Sequence, residues 1–231
     1  MVNVATTEAP TVTIDIYSDV VCPWCYIGKR RFEAGMALVE AEDLGVTFDV
    51  SYRPFQLDPT ASPGVSTPVI EAYAKKFGGL EQAESIIARV TEAASEDGLD
   101  FNMDRALRAN TLLAHRLLWL ADQPDSPVDQ QVLKERLLKA YFTDGLHIGN
   151  PDVLADCAAE VGFDRDEIIS FLESDHGAPE VDSELELARS NGITAVPTYV
   201  LNGEWAIPGA QDPQTFAKVL QKIAAKATEG E

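Results

Sequence analysis

Two cysteines separated by two residues stand near the start of the chain, in the segment Cys22-Pro23-Trp24-Cys25. Thiols at this spacing can close a small disulfide ring, and a thiolate in such a pair can attack the disulfide of another molecule. A structural zinc site would need two further ligands, and the sequence holds no second short-spaced pair of cysteines or histidines. An inert structural disulfide is also disfavoured, because such bridges usually close longer loops. The pair therefore predicts redox chemistry without a metal.

The residues on either side of the pair predict a strand that leads into a helix. Residues 11–17 alternate polar with apolar or β-branched side chains, as a half-buried strand does. Pro23 suits the first position of a helix, because it lacks the amide hydrogen that would be unpaired there, and Cys22 then falls at the N-cap. Unpaired amide hydrogens favour an anion, so we expect Cys22 to be the more acidic thiol and the nucleophile. The helix dipole supplies at most about 2 kcal/mol, or roughly one and a half pKa units.

A second informative segment runs from residue 191 to residue 203. Asn191-Gly192 is typical of a helix end, residues 198–201 predict a strand, and Asn202-Gly203 predicts a turn into another strand. Pro197 stands at the first position of the predicted strand, where a residue without an amide hydrogen is tolerated. The bond before a proline can be cis, although trans is the more common form.

Three motifs in this order resemble the DsbA family of thioredoxin-fold oxidoreductases, specifically its FrnE-like subgroup. They are CPWCYIG at 22–28, GITAVPT at 192–198 and IPGAQ at 207–211, and the resemblance extends from about residue 12 to about residue 225. It implies that Cys22 attacks, that Cys25 resolves the mixed disulfide, and that Pro197 is a cis-proline facing the pair. A redox-active disulfide between Cys22 and Cys25 then replaces any bound cofactor.

The resemblance also implies supporting roles. Val196 would offer its backbone groups to an extended substrate segment, so that substrates are recognised mainly through their backbone. Pro23 and Trp24 complete the motif, and Trp24 would add an aromatic wall beside the sulfur. No residue in the sequence can be matched to the buried acid of thioredoxins, so the proton acceptor for Cys25 stays open.

The same superfamily contains proteins with different chemistry. The 2-hydroxychromene-2-carboxylate isomerases and kappa-class glutathione transferases usually carry a serine at the position of Cys22, and they bind glutathione without cycling a disulfide. Both thiols are present here, which favours a thiol-disulfide oxidoreductase acting on protein or peptide disulfides, with glutathione or another low-molecular-weight thiol as a co-substrate. A glutathione-dependent isomerase or transferase is the main alternative, and a non-enzymatic binding module is a third.

The spacing of the motifs predicts an α/β protein with a thioredoxin-like fold and a large all-helical insertion. The thioredoxin-like domain is expected to be split between 11–64 and 181–228, and residues 65–180 form the part called here the insertion. We expect the insertion to cover the active-site face. The predicted helices, of which the last extends beyond residue 180, are 68–77, 81–96, 104–121, 129–142, 151–161, 164–173 and 179–190.

Other candidate side chains have plainer explanations. Asn110, Thr111 and His115 lie in a predicted helix of the insertion and are interpreted as structural polar groups. Cys157 shares a helix face with apolar residues, which indicates a buried and inert thiol and not a third redox centre.

Composition limits the classes of partner. The chain has 231 residues, 45% of them hydrophobic, and three cysteines, which excludes a disulfide-rich scaffold. Its 18 basic residues against 38 acidic ones give a net charge of −20, so nucleic acid and anionic membranes are not expected as partners. The first ten residues lack the features of a signal peptide, which predicts a cytoplasmic location. Such a location favours reductase or isomerase work, but the direction of exchange stays open.

Overall fold

The computed structural model describes residues 9–42 and 44–229. Its helices and strands follow in chain order: β1 Thr11–Ser18, α1 Pro23–Glu40, β2 Thr47–Pro54, β3 Thr67–Pro68, α2 Val69–Phe77, α3 Leu80–Glu96, β4 Leu107–Arg108, α4 Leu112–Ala121, α5 Gln130–Phe142, α6 Pro151–Val161, α7 Arg165–Glu173, α8 Ala178–Ser190, β5 Thr198–Leu201, β6 Trp205–Pro208 and α9 Pro213–Glu229. The insertion accordingly lies between β2 and β5.

The main sheet has four strands in the order β2-β1-β5-β6. Strand β1 runs parallel to β2 and antiparallel to β5, which in turn pairs antiparallel with β6. Ser18, the last residue of β1, lies opposite Pro54 at the end of β2, so both strands end at the same edge of the sheet. The predicted α/β thioredoxin-like fold is confirmed.

One hydrophobic core joins this sheet to α1 and α9. The inward side chains of β1 are buried, whereas the neighbouring Thr11 and Thr13 are exposed, as alternation in a strand requires. Three aromatic rings, Phe32, Tyr199 and Phe216, lie between the sheet and the two helices with centroids 4.7 to 5.4 Å apart. This packing fixes α1 against the sheet.

A second core fills the insertion and includes another face of α1. Tyr26 contributes to it, with its ring 5.8 Å from that of Phe101 and 6.0 Å from that of Phe142. The Tyr26 hydroxyl donates to Glu135 of α5 at 2.8 Å, and Lys29 and Arg30 form salt bridges with the same carboxylate, each at 2.8 Å. The start of α1 is therefore held by the sheet on one side and by the insertion on the other.

One predicted helix of the insertion is wrong at its start. The prediction was 104–121, but α4 begins at Leu112. Residues 107–108 instead pair with residues 67–68, a contact that local periodicity cannot indicate. The Asn110 side chain accepts a hydrogen bond from the Leu112 amide and donates to the carbonyl of Ala61, and so turns the chain into the helix. The other predicted helices are confirmed to within one residue at each end.

Two further expectations can be placed on the structure. The predicted domain boundary at 180/181 falls within the first turn of α8, and the division into domains stays a prediction. The argument from the N-terminal residues falls mainly on residues 1–8, which lie outside the described residues. Among the described helices, none is both long and apolar enough to cross a membrane.

Substitution of Gly35 tests how closely α1 packs against α9. A Cβ at this position would lie 2.7 Å from the Cβ of Phe216 and 2.8 Å from the carbonyl oxygen of Pro213. Neither atom is the free end of a flexible side chain, so we expect Gly35→Ala to lower the free energy of unfolding by about 1–3 kcal/mol in a denaturant titration. Ala37→Ser, on the exposed face of the same helix, should change it by less than about 0.5 kcal/mol. Equal stabilities for the two variants would contradict this packing.

Candidate active site

The thiol pair lies at the start of α1, as the sequence predicts. Cys22 is the N-cap residue with extended backbone angles, Pro23 begins the helix, and the Cys25 amide donates to the Cys22 carbonyl at 3.0 Å. Both cysteines are free thiols, and both are buried, with 4% of Cys22 and 2% of Cys25 exposed. Trp24, between them, is 42% exposed. The motif thus combines one exposed aromatic side chain with two buried thiols.

The segment before β5 faces Cys22. The peptide bond between Val196 and Pro197 is cis, and the Cys22 Sγ lies 3.7 Å from the Val196 carbonyl oxygen, within reach for the thiol to donate. The Pro197 carbonyl accepts from the Gly209 amide at 2.8 Å, which anchors this segment to the residue after β6. The structure therefore brings Cys22, Val196 and Pro197 together. A substrate role for Val196 and Pro197 stays a prediction.

Gly28 allows α1 to lie close to Pro197 and Tyr199. A Cβ on Gly28 would lie 2.7 Å from the Tyr199 hydroxyl and 3.0 Å from the Pro197 Cγ. Gly28 belongs to the CPWCYIG motif, so the motif specifies the helix surface on which the proline rests as well as the thiols.

Polar side chains that the sequence analysis did not assign to the site lie behind the pair. Asp19 is fully buried, and its two carboxylate oxygens contact His115 Nε2 at 3.2 Å and the Leu57 amide at 2.8 Å. His115 Nε2 also lies 3.0 Å from the Phe55 carbonyl oxygen. His115 is therefore buried and hydrogen-bonded, and its interpretation as a structural polar group stays a prediction. Asp19 was missed because a single aspartate before a helix forms no recognisable pattern.

Lys134 of α5 is the second missed residue. Its side chain is fully buried, and Nζ has no hydrogen-bond partner among the described residues. Nζ lies 5.2 Å from the centroid of the Tyr52 ring. Burial lowers the pKa of Lys134 to about 8, although Cys25, Asp19 and Cys22 oppose that shift. The signal was present in the sequence, because position 134 shares a helix face with the buried Leu137, Leu138 and Tyr141.

Tyr73 of α2 packs against the core of the insertion and interacts electrostatically with Cys22. Burial, with a smaller contribution from the charge of Cys22, raises the pKa of Tyr73 to about 12. The Tyr73 ring lies 5.4 Å from that of Phe77, which is exposed. The insertion thus contributes apolar surface near Cys22.

The two thiols titrate as a coupled pair. Hydrogen bonding with Cys25, burial and the charge on Cys25 raise the pKa of Cys22 well above its ordinary value. Burial also opposes ionisation of Cys25, but hydrogen bonding from Cys22, the charge of Lys134 and the neighbouring Ser18 hydroxyl outweigh it and lower the pKa of Cys25. The reduced pair therefore shares one proton and favours a single thiolate. The greater acidity expected for Cys22 at the helix start stays a prediction.

The third cysteine lies apart from this chemistry. Cys157 is fully buried in the core of the insertion, and burial raises its pKa to about 11. The interpretation of Cys157 as a buried thiol is confirmed. Within residues 9–42 and 44–229, no group of three or more histidine, cysteine or acidic side chains is placed to hold a metal ion.

The titration of the pair can be followed by thiolate absorbance at 240 nm. We expect the first ionisation of reduced wild-type protein below the ordinary cysteine pKa of about 8.5, and the second above it. In Cys22→Ala the hydrogen-bond donor to Cys25 is lost, so the pKa of Cys25 should rise. Cys157→Ala is the matched control and should leave the first ionisation unchanged. A first ionisation above the ordinary value would contradict the stabilised thiolate.

The chain is similar to a known protein family over most of its length. Residues 13–221 match the family model of the DSBA-like thioredoxin domain. The uncharacterized protein YwbO of Bacillus subtilis is 29% identical over 212 residues, which cover 91% of this chain and 96% of YwbO. The crystal structure of the probable DsbA oxidoreductase SCO1869 from Streptomyces coelicolor is also 29% identical, with a TM-score of 0.83 over 93% of this chain and 91% of that one.

More distant structures share the fold. A 2-hydroxychromene-2-carboxylate isomerase is 15% identical with a TM-score of 0.65, over 95% of this chain and 99% of that one. The cytosolic disulfide reductase DsbM of Pseudomonas aeruginosa is 16% identical with a TM-score of 0.65, over 92% and 98% of the two chains. Oxidoreductases and an isomerase thus occur on one architecture. With a match that spans residues 13–221, the chain belongs to the DSBA-like thioredoxin domain family.

Proposed function

We propose that this protein is a thiol-disulfide oxidoreductase that exchanges disulfides with protein or small-thiol substrates through Cys22 and Cys25. One observation carries the proposal: two free thiols share the start of α1, and the Cys22 Sγ lies 3.7 Å from the Val196 carbonyl beside the cis-proline. An extended substrate could bond to the backbone of Val196 while its disulfide meets Cys22. The likeness to the probable DsbA oxidoreductase SCO1869 supports the same chemistry.

The reaction is a pair of sulfur exchanges. The Cys22 thiolate attacks one sulfur of a substrate disulfide, the new Cys22–S bond forms as the substrate S–S bond breaks, and the first substrate thiolate leaves. The Cys25 thiolate then attacks the Cys22 sulfur of the mixed disulfide. The Cys22–Cys25 bond forms, and the second substrate thiolate leaves. Two electrons pass from the pair to the substrate, and a low-molecular-weight thiol such as glutathione returns them. The same steps in reverse oxidise a substrate dithiol.

The shared proton reconciles this order of attack with the charge distribution. In the reduced pair the two sulfur atoms share one proton. When that proton lies on Cys25, the charge lies on Cys22 at the helix start, where the amide hydrogens are unpaired, and Cys22 can attack. Once Cys22 is consumed in a mixed disulfide, the charge falls on Cys25, which becomes the nucleophile. Each thiol is thus activated when its step arrives.

The surface near the pair suits an apolar peptide. Trp24 is exposed within the motif, Leu57 is exposed two residues after Phe55 and bonds through its amide to Asp19, and Phe77 is exposed beside Tyr73. These side chains lie on α1, on the loop after β2 and on α2. They offer apolar contacts that a backbone-directed interaction would otherwise lack, which supports protein or peptide disulfides as substrates.

Turnover tests the proposal. In an insulin-reduction assay with glutathione or dithiothreitol as the reductant, wild-type protein should accelerate the reaction, and Cys22→Ser should reduce the rate to background, because serine cannot form the mixed disulfide. Cys157→Ser is the matched control and should keep the wild-type rate, since Cys157 is buried in the insertion core. Undiminished turnover in Cys22→Ser would refute the exchange mechanism.

The same variants separate the alternatives. The glutathione-dependent isomerase or transferase does not need a sulfur at position 22, so isomerisation of 2-hydroxychromene-2-carboxylate with glutathione should survive Cys22→Ser if that alternative is right. If insulin reduction and isomerisation are both absent in wild-type protein while a partner protein still binds, the non-enzymatic module is favoured.

A further inference from the structure

We propose that Lys134 is the positioning residue of the thiol pair: its buried ammonium group stabilises the thiolate of the reduced pair and thereby sets the balance between the dithiol and the disulfide. This inference rests on the proposed redox function.

The position of Lys134 follows from the strand register. Its ammonium group lies over the ring of Tyr52, which is opposite Ile16 in the register of β1 and β2. Both strands end two residues later, and the chain from β1 then enters the loop that leads to Cys22. Helix α5 contacts both α1 and β2, so Lys134 reaches the space between the sheet and the start of α1. The ammonium group therefore approaches the pair from the insertion side.

Two acidic groups around Lys134, Asp19 and Glu135, bind other partners. Asp19 binds His115 and the Leu57 amide. Glu135, adjacent in sequence to Lys134, binds Tyr26, Lys29 and Arg30.

Lys134 Nζ accordingly has no hydrogen-bonded anion among the described residues. A buried ammonium group without a paired anion is strongly disfavoured. Two buried groups can compensate it, the Asp19 carboxylate and the thiolate of the reduced pair. The lowered pKa of Cys25, to which Lys134 contributes, agrees with the second interaction.

A small cavity gives the proton of Lys134 an exit. It has room for about one water molecule, and its walls include Lys134, His115 and Gln130. When Cys25 becomes part of the disulfide, the negative charge of the thiolate disappears. The ammonium group of Lys134 can then release a proton to water in this cavity. The electrons pass from the two sulfur atoms to the substrate, whereas the proton leaves from the Lys134 nitrogen.

Several elements place charged or titratable groups around Lys134. They are Asp19 and Cys22 before α1, Cys25 and Lys29 from α1, Tyr52 and Arg53 from β2, His115 from α4, Asp122 after α4, Glu135 from α5 and Glu184 from α8.

The test compares Lys134→Met with wild type in both redox states. Methionine keeps much of the volume and removes the charge. We expect the first thiol ionisation to shift to higher pH, and the equilibrium constant for reduction of the pair by glutathione to fall about tenfold, which corresponds to a reduction potential about 30 mV lower. Lys139→Met is the matched control on the exposed face of α5 and should change neither value.

A stability measurement guards against simple misfolding. The free energies of unfolding of the reduced and oxidised forms of each variant are measured. Together with the equilibrium constant for reduction by glutathione, they form a thermodynamic cycle. Lys134→Met should destabilise the reduced form relative to the oxidised form, because only the reduced form loses an ion pair. A structural role would change both forms equally and leave the thiol pKa and the glutathione equilibrium unchanged, and that result would overturn the inference. If Cys22→Ser abolishes turnover in the same experiments, the proposed function stands even though the inference fails.

Discussion

The rest of the structure depends on one electrostatic constraint: a negative charge must be accommodated on a sulfur atom that is almost completely buried. Burial opposes the thiolate at both Cys22 and Cys25. The amide hydrogens at the start of α1 supply part of the compensation, but a helix dipole contributes at most about 2 kcal/mol. The remaining stabilisation has to come from groups brought in by other parts of the chain. The fold places those groups near the thiols.

Helix α1 is the element on which both halves of the protein meet. One face packs with Phe216 and Tyr199 in the sheet core, and another presents Tyr26 to the core of the insertion. Because both cores hold the same helix, the thiols at its start are fixed relative to the cis-proline on the sheet side and relative to α5 on the insertion side. The insertion also contributes Lys134, whose pKa responds to Cys25 and Cys22, and Tyr73, whose pKa is raised in part by Cys22.

Local signals were sufficient for much of this picture. Alternation identified β1 and Pro23 marked the helix start, because each of these signals is encoded in a few consecutive residues. The thioredoxin-like fold was predicted from the family resemblance that the three motifs carry. Contacts between distant segments were not available in the same way. The pairing of residues 107–108 with 67–68 shortened a predicted helix, and the contact of Asp19 with His115 joins residues that no spacing rule connects.

The acidity of the thiols shows the same limit more sharply. A rule based on helix position counts only the amide hydrogens near Cys22, and it predicted the lower pKa there. The structure adds the interaction of Cys22 with Cys25 and the charge of Lys134, and these interactions couple the ionisation of the two thiols. Position 134 was visible as a lysine on an apolar helix face, but the target of its charge depends on how α5 packs against β2 and α1.

The most direct measurement of the central claim is the trapping of a mixed disulfide. Cys25→Ser protein, incubated with a peptide disulfide and analysed by mass spectrometry after proteolysis, should carry the peptide on Cys22, since the thiol that would release it is missing. Cys22→Ser protein, treated identically, should accumulate far less adduct. An adduct on Cys157 alone, or none on Cys22, would contradict the account, because the thiol facing the cis-proline would then not be the one that meets the substrate.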